Sequence, residues 1–582
     1  MSYVGIVYLN NVKSASVMSR LSKKSPSVCT DMPLDNTDIC SKLQLLKQIL
    51  TSCFGPTGRL KQVHNNIGGH VVTTSASSVL LSSVSSSQSF INLIKTSILN
   101  HVSRFSDCGL FAAILCLSLI EQIKKSALRE SVAIRVNNYL LALCTSYLQR
   151  EDSGCRVKLD FCSTQNLITL ARSVICSKPA CVLTEPETLH ISKLAVQAFL
   201  LTVPCSSPGI VSFGRIVTVP VEGHSVLSSE VLPGLLVEMP DGLSEEDNFL
   251  NPLSVVLFSA SLAGDISELG DGVIEAHPDV DTDSQILGQL LELGRQVIND
   301  EVKLFVCQKV IHPVLQQYLR SHGVIVVERL GIALMEPLTQ LTGAQPVATL
   351  HTTIPPKTYG KVRDLCIKHF GSKTMLHLLP LGESAICTMI LCHRNQTMLN
   401  ELKVVCQTAE HVLRLTLREP FALVGGGCTE THLAAYVRHK SKSEVPETAS
   451  VLMCSQTEYL LGVELFCCAL ESAAGALEHD GGSSLIDLTH AHRWMLPADA
   501  IKETMEDSLG FCGCGLVQSS PSKKWTYLNT KYSDFCPSPV FRDTRVQPHV
   551  LDSFTAKLSA LQVAIETANL ALDVKYIIQD MN

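Results

Sequence analysis

Apolar positions from Ile39 onward recur at helical spacing. Ile39, Leu43, Leu46 and Leu50 lie four, three and four residues apart, which places their side chains on one face of a helix. The pattern stops at Phe54-Gly55-Pro56-Thr57-Gly58, a cluster that breaks regular structure. Leu110 to Ile120 is almost wholly apolar, which predicts a helix buried on every side. Helical patterning continues to about Leu148. Between 205 and 350 the period changes. Ile210-Val211, Ile216-Val217-Thr218-Val219 and Leu235-Leu236-Val237 are short β-branched runs separated by turn signals. Lys303-Leu304-Phe305-Val306-Cys307 reads as a strand, His312 to His322 as a helix and Val324-Ile325-Val326-Val327 as the next strand. That alternation predicts an α/β domain. Helices return from Glu401, and the last one puts Leu558, Leu561, Ile565, Ala568 and Leu572 on one face. Residues 1–35 are polar and serine-rich after the first few, and read as a loose tail. No repeat recurs at a fixed period. The plan is helical, then α/β, then helical: one helical domain assembled from both chain ends and carrying the middle as an insertion.

The chain has 582 residues; at about 100–200 residues per domain, that suggests roughly three domains. Net charge is -7, from 54 acidic and 47 basic residues, which leaves no electrostatic footprint for a nucleic-acid backbone. Charged residues make up 17% and hydrophobic ones 46%, against about 25% charged in ordinary globular proteins. Large cores account for this, as does a surface covered by partners; both readings stay open. The 23 cysteines are scattered singly through runs such as Ile114-Leu115-Cys116-Leu117. Reduced thiols used as small hydrophobes look like this, and a disulfide scaffold does not. The expected compartment is reducing, cytosol or nucleus. Tyr3 to Leu9 is apolar but short and has no basic residue before it, so no signal peptide is expected; Met18 is an alternative start. Residues 71–94 lack charge but are rich in Ser and Thr, a poor match to the roughly 20 apolar residues of a membrane span. A soluble protein is expected, without membrane insertion.

Five segments, in order, resemble the group II chaperonins. Phe54-Gly55-Pro56-Thr57-Gly58 is similar to the family's Leu-Gly-Pro-Lys-Gly turn, and Ser106-Asp107-Cys108-Gly109-Leu110 stands where the family has Gly-Asp-Gly-Thr-Thr. Cys307-Gln308-Lys309-Val310-Ile311, followed by Tyr318-Leu319, resembles a Cys-Gln-Lys-Gly-Ile strand end and its helix. Met335-Glu336 with Thr342-Gly343-Ala344 fits next, and Val424-Gly425-Gly426-Gly427-Cys428-Thr429-Glu430 resembles Pro-Gly-Gly-Gly-Ala-Thr-Glu. The likeness runs from about residue 36 to the end. Ser106–Leu110, Gly425–Ala434 and Leu477-Glu478-His479-Asp480-Gly481-Gly482 further resemble a divergent vertebrate branch of the family tied to cilia. The resemblance implies an α+β multidomain chaperonin fold. A flexible tail (1–35) would precede a helical equatorial domain (36–160 and 410–582), a small intermediate domain (161–205 and 371–409) and an inserted α/β apical domain (206–370). It implies a chaperone or assembly factor for unfolded or partly assembled client proteins, acting on the ciliary cargo-coat (BBSome) complex. Related chaperonin-like subunits, the cytosolic chaperonin ring and coat-complex subunits would be its partners. Its place would be the cytosol, centrosome and ciliary base.

The resemblance also implies a site for ATP with Mg²⁺. Chaperonin hydrolysis needs glycine turns that bring backbone N–H groups to the phosphates, a carboxylate for Mg²⁺ and a second carboxylate to orient water. Gly55, Pro56, Gly58, Gly425, Gly426 and Gly427 remain as candidate nucleotide-binding turns, and Asp107 as the magnesium carboxylate. The rest departs. Thr57 replaces a lysine, Ser106 and Cys108 replace glycines, and Gly109 and Leu110 replace two threonines. The family's Thr-Asn-Asp-Gly reads Thr73-Thr74-Ser75-Ala76. Counting back from Gly425 puts Cys406-Gln407-Thr408-Ala409 where the family's water-orienting aspartate stands, and the neutral Thr408 cannot do that work. No catalytic residue is assigned. The glycines either keep the family's turns or still hold nucleotide. The main reading is a chaperone without hydrolysis; the alternative is an ATP-dependent folding subunit.

Gly209-Ile210-Val211-Ser212-Phe213-Gly214-Arg215-Ile216 has Walker A glycine spacing but lacks the lysine and hydroxyl that loop needs. Cys512-Gly513-Cys514 reads as a tight turn with two free thiols, because no second pair sits at zinc-ribbon spacing. His479, His490 and His492 read as an exposed Gly/Ser-rich loop. Asp265, Glu268, Asp271, Glu275, Asp279, Asp281 and Asp283 lack EF-hand spacing and read as a solvated loop. The client or partner surface is placed on Pro313, Gln316, Gln317 and Tyr318 and in that acidic loop.

Overall fold

The computed structural model describes residues 28–64, 71–84, 86, 88–204, 213–239, 252–264, 282–349, 353–371, 373–382, 385–499, 509–530, 532, 534–540 and 548–579. The chain forms two compact units. One comprises residues 1–63, 77–158 and 421–582; the other, 64–76 and 159–420, is inserted within it.

In the first unit the helix Gly109–Lys125 is the centre. It packs against the helices Thr37–Thr51, Ser89–Phe105, Gln456–Gly475 and Phe554–Asp573. Neighbours on so many sides explain its lack of a polar face: Leu110 through Ile120 are all buried. Each Leu, Ile or Phe so buried contributes about 1.5–3 kcal/mol. Ile39, Leu43, Leu46 and Leu50 are all buried on Thr37–Thr51, and Asn36 caps that helix by accepting from Asp38 N at 2.9 Å. Phe554–Asp573 buries Leu561, Ile565, Ala568 and Leu572, with Leu558 half-buried. Its buried stripe is wider than the expected one because Ala556, Ala560, Ala564 and Ala571 let neighbouring helices approach closely. The strand Phe421–Val424 pairs antiparallel with Arg156–Lys158 and Leu551–Ser553. Ser483–Asp487 lies between Arg493–Leu496 and Trp525–Tyr527.

Part of the expected loose tail is ordered. Val28–Asp31 pairs antiparallel with Tyr576–Gln579 and Met32 N donates to Lys575 O at 2.8 Å, so backbone hydrogen bonds tie residues 28–32 to the last strand, and Leu34 is buried at 5% exposure. Residues 1–27 lie outside the described residues.

The second unit holds a six-stranded sheet in the order Ile325–Val327, Leu304–Cys307, Leu253–Phe258, Gly360–Phe370, Lys373–Pro380, Leu235–Glu238. The first three strands are parallel and the rest antiparallel. Leu304 and Val306 join one hydrophobic cluster while Phe305 and Cys307 join another. Both faces are covered, which is why this strand carries no polar position. A second sheet sets Ile386–His393 parallel to Arg215–Glu222 and antiparallel to Glu230–Pro233. The expected boundary at 370/371 cuts a continuous hairpin, Gly360–Phe370 with Lys373–Pro380. The one at 409/410 cuts the helix Gln396–Arg418. That helix begins before Glu401 because Asn395 caps it, accepting from Thr397 N at 2.8 Å. The segment 205–212, with the first half of the Walker-like run, and the acidic run from Asp265 to Asp281 lie outside the described residues; Arg215 and Ile216 open the strand Arg215–Glu222, and Asp283 is in the helix Thr282–Asn299.

Among the described residues no single helix is long and apolar enough to cross a membrane. Val445–Val451 and Gln456–Gly475 pass that test only as a pair bent by 95°.

Candidate functional site

Three turns of the first unit carry the residues matched to the nucleotide site. In the first, Gly55 has φ +86° and Gly58 N donates to Gly55 O at 3.1 Å. A β-carbon on Gly58 would stand 2.5 Å from Cys53 O. In the second, Gly426 and Gly427 have φ +66° and +84°, and Gly427 caps the helix Cys428–Ser443. Leu477 fills the space beside both turns, within 2.7 Å of a Gly55 β-carbon and 3.4 Å of a Gly427 one. In the third, Ser106 and Cys108 have φ 59° and 60°. The loop thus keeps a glycine-type backbone with side chains on it, at a cost of roughly 1–2 kcal/mol per residue. Gly109 opens the buried helix where the family has threonine. A β-carbon there would lie 2.4 Å from Val102 Cγ2 and 2.7 Å from Ser77 Oγ, so local packing excludes the threonine. Leu110, in place of the second threonine, is core.

The charges around these turns are largely spoken for. Asp107 is half-buried; its backbone O is 3.0 Å from His101 Nε2, and burial lowers the pKa of that imidazole. Lys557 is buried, paired to Glu430 and, at 3.1 Å, to Asp552, with its ammonium 3.9 Å from the centre of the Phe111 ring. Burial alone would discharge Lys557, but Asp552 and Glu430 more than reverse this and hold it protonated. Burial raises the Asp552 carboxyl, against the pull of Lys557. A hydrolytic Mg²⁺–ATP site does not fit these residues. Asp107 remains as a carboxylate for Mg²⁺, but Thr57 is neutral, Lys557 is neutralised by two carboxylates, and side chains stand at 106 and 108 where phosphate must approach backbone.

In the second unit, Thr408 is 8% exposed on the helix Gln396–Arg418. Its hydroxyl donates to Val404 O at 3.0 Å, a bond within its own helix. Thr74 and Ser75, in the degenerate Thr-Asn-Asp-Gly segment, are also engaged. The buried Glu401 carboxylate accepts from Thr74 Oγ1 at 2.9 Å, Ser75 N at 2.9 Å and Ser75 Oγ at 3.1 Å. The sequence gives no hint of this Glu401 anchor, because its partners are more than 320 residues away.

On the helix Pro313–Ser321, Pro313 and Gln317 are exposed, as is Val314. Gln316 is turned inward and donates to Ile311 O at 3.0 Å and to Glu328 at 2.8 Å. Tyr318 is half-buried, its ring 4.7 Å from that of His322. The exposed residues of this helix are Pro313, Val314, Gln317, Arg320 and Ser321, so of the four residues expected Pro313 and Gln317 face outward and Gln316 and Tyr318 are half-buried.

One reading of the first unit's imidazoles is overturned, and the reading of its thiols is extended. His492 is fully buried at the edge of a sheet, not in an exposed loop; His490 and His479 are half-buried and bonded to Ser538 O and Phe54 O. Cys512-Gly513-Cys514 is a tight turn, but its thiols are not alone: Cys428 and His492 join them, all four buried. Burial pushes isolated core thiols such as Cys116 and Cys144 up to about 12. Cys512 moves the other way, held well below the ordinary thiol value by hydrogen bonds with Cys428 and Cys514 and by His492. One signal was legible: Cys428 stands where the family's glycine-triplet segment has alanine.

Two units, one inserted in the other, with mixed helix and strand and degenerate glycine turns, define a divergent chaperonin. The model of the TCP-1/cpn60 chaperonin family matches residues 46–582, and the chain belongs to that family. It is 48% identical over 575 residues to the Homo sapiens protein called Molecular chaperone MKKS, covering 97% of this chain and 100% of that one. The Mus musculus protein of that name is 47% identical over 572 residues, with 97% and 100% covered. Thermosome subunit alpha of Halobacterium salinarum is 25% identical over 284 residues, 47% of each chain.

Proposed function

We propose that this chain is a chaperonin-type assembly factor that acts by contact and has lost ATP hydrolysis. The observation that carries this reading is Thr408: a neutral hydroxyl, spent on Val404 O of its own helix, stands at the position matched to the family's water-orienting aspartate. Ser75, bound to Glu401, supports it as a second lost carboxylate. The turns at Gly55–Gly58 and Gly425–Gly427 then serve the fold. The rival reading, an ATP-driven folding subunit, requires carboxylates at both positions.

Within the family's plan, residues 36–160 and 410–582 correspond to an equatorial domain, 161–205 and 371–409 to an intermediate domain and 206–370 to an apical domain. We draw those two limits past the hairpin Gly360–Phe370 with Lys373–Pro380 and past the helix Gln396–Arg418. Its clients are unfolded or partly assembled proteins, among them subunits of the ciliary cargo-coat (BBSome) complex. It meets them at the centrosome and ciliary base, with related chaperonin-like subunits and the cytosolic chaperonin ring as co-workers. Pro313, Val314 and Gln317 are the proposed contact surface. Recovery of the full-length chain from ciliated cells, with and without ATP depletion, tests this. Coat and ring subunits are expected in equal amounts under both conditions. Recovery of neither, or recovery that depends on ATP, contradicts it.

A further inference from the structure

We infer that Cys428, His492, Cys512 and Cys514 form a structural Zn²⁺ site in the first unit. The ligand atoms of all four lie within 4.8 Å of one another. Cys512 Sγ is 3.4 Å from Cys514 Sγ, and His492 Nδ1 is 3.5 Å from each. A tetrahedral ion with Zn–S near about 2.3 Å and Zn–N near about 2.0 Å sets its ligands roughly 3.5–3.8 Å apart, so His492, Cys512 and Cys514 already stand near ligand spacing and Cys428 would have to close by at most about 1 Å. Exposure is 0% for Cys428, His492 and Cys514 and 4% for Cys512. Four protein ligands leave no open position, which is the pattern of a structural site rather than a catalytic one. Three soft thiolates with one imidazole select Zn²⁺ over the oxygen-seeking divalent ions.

The surroundings are built for a thiolate centre. Val517 N donates to Cys512 Sγ at 3.2 Å. Gly515 N donates to Cys512 O at 2.8 Å, which closes the Cys-Gly-Cys turn. Cys428 is the first residue of its helix, where the backbone dipole favours negative charge. His492 directs Nδ1 at two sulfurs, and its Nε2 has no hydrogen-bond partner among the described residues, so the ring's side-chain hydrogen bonds go to the thiols alone. Arg493, 3% exposed, follows His492 in the chain. Its guanidinium reaches the neutral Ser484 Oγ and Met495 Sδ, and among the described residues it makes no ion pair with a carboxylate. Three thiolates and Zn²⁺ carry a net charge of −1, which would add to the electrostatic pull that Glu478 and Glu430 already exert on this buried cation.

The site also explains a close backbone approach. A β-carbon on Gly426 would stand 2.3 Å from Gly513 O, and one on Gly513 2.5 Å from Gly426 O. The turn matched to the family's glycine triplet is therefore seated on the Cys-Gly-Cys turn. A metal that joins Cys428 to Cys512 and Cys514 locks the two together, fixing in this chain a loop that no nucleotide needs to order.

The test is metal analysis of the full-length chain, purified under reducing conditions without an affinity tag of histidines. One zinc per chain is expected, falling to background in Cys512→Ser/Cys514→Ser. His492→Cys, which supplies a fourth thiolate, is expected to keep its zinc, whereas His492→Ala loses most of it. Cobalt exchanged into the wild-type protein is expected to give thiolate-to-cobalt charge transfer and the visible bands of a tetrahedral ion. That spectrum does not depend on any variant folding. Wild-type protein that neither contains zinc nor takes it up, a cobalt spectrum without thiolate charge transfer, or zinc retained by the double variant would each overturn the assignment.

Discussion

At the scale of single residues, the account turns on backbone that only glycine suits and on groups whose partners come from far along the chain. Gly426 and Gly481 both have positive φ, but a β-carbon meets Gly513 O at 2.3 Å in the first case and nothing within 4 Å in the second. Gly481→Ala should therefore cost about 1 kcal/mol, and Gly426→Ala about 3 kcal/mol or more, read from urea unfolding midpoints. His377 offers a pH test. It is buried, with Nε2 2.7 Å from Pro233 O, and burial lowers its pKa below the ordinary histidine value. The unfolded chain thus takes up the proton more readily. The stability His377 supplies is whole above the unfolded value and is lost as pH falls through it toward the folded one. Between about pH 7.5 and about pH 5, the wild-type midpoint should drop more than that of His377→Gln. Equal slopes would show that this imidazole is not the group responsible. The sequence exposes Thr408 and Ser75 as lost carboxylates because each sits in a segment that resembles the family. It hides Glu401 and the Cys428–His492 proximity, since both join residues with no fixed spacing.

At the scale of elements, hydrophobic period was a good guide wherever one neighbourhood sets the burial. The run Leu110 to Ile120 reads as buried on all sides, and the helix Gly109–Lys125 has helices packed around it. Ile114→Ala should cost about 2–5 kcal/mol, whereas Val314→Ala on the exposed side of Pro313–Ser321 should fall within about 0.5 kcal/mol. Comparable losses at both positions in chemical denaturation would mean that these exposures are wrong. The period failed where pairing is long-range. Val28–Asp31 carries no strand signal of its own and is ordered by the last strand of the chain. The limits at 370/371 and 409/410 cut a hairpin and a helix, whose continuity a resemblance carried by a few short segments does not reveal.

At the scale of the whole molecule, the inserted plan was legible because the period changes near 205 and returns to helical near 400, and those changes follow the chain rather than its contacts. Residues 571–578 resemble the family's last strand but put Asp573 at its arginine and Lys575 and Tyr576 at its paired acids; here Asp573 ends the helix Phe554–Asp573 and Tyr576 opens the strand Tyr576–Gln579. Lys575 pairs with Glu130 of its own chain, while Tyr576 and Ile578 are 63% and 76% exposed. An edge so altered favours particular neighbours, so light scattering after size exclusion should give a mass near the 63.3 kDa of one chain. A ring-sized species formed by this chain alone would refute that.

The central claim, a chaperonin-family chain that works without hydrolysis, is tested most directly by steady-state phosphate release from the purified full-length protein with Mg²⁺ and ATP. The account predicts background release that neither Asp107→Ala lowers nor Thr408→Asp raises, because electrostatic stabilisation of a transferring phosphoryl group needs many positioned groups at once and Thr57, Ser106, Cys108 and Leu110 remain. Turnover at the rate of an active chaperonin, abolished by Asp107→Ala, would contradict it.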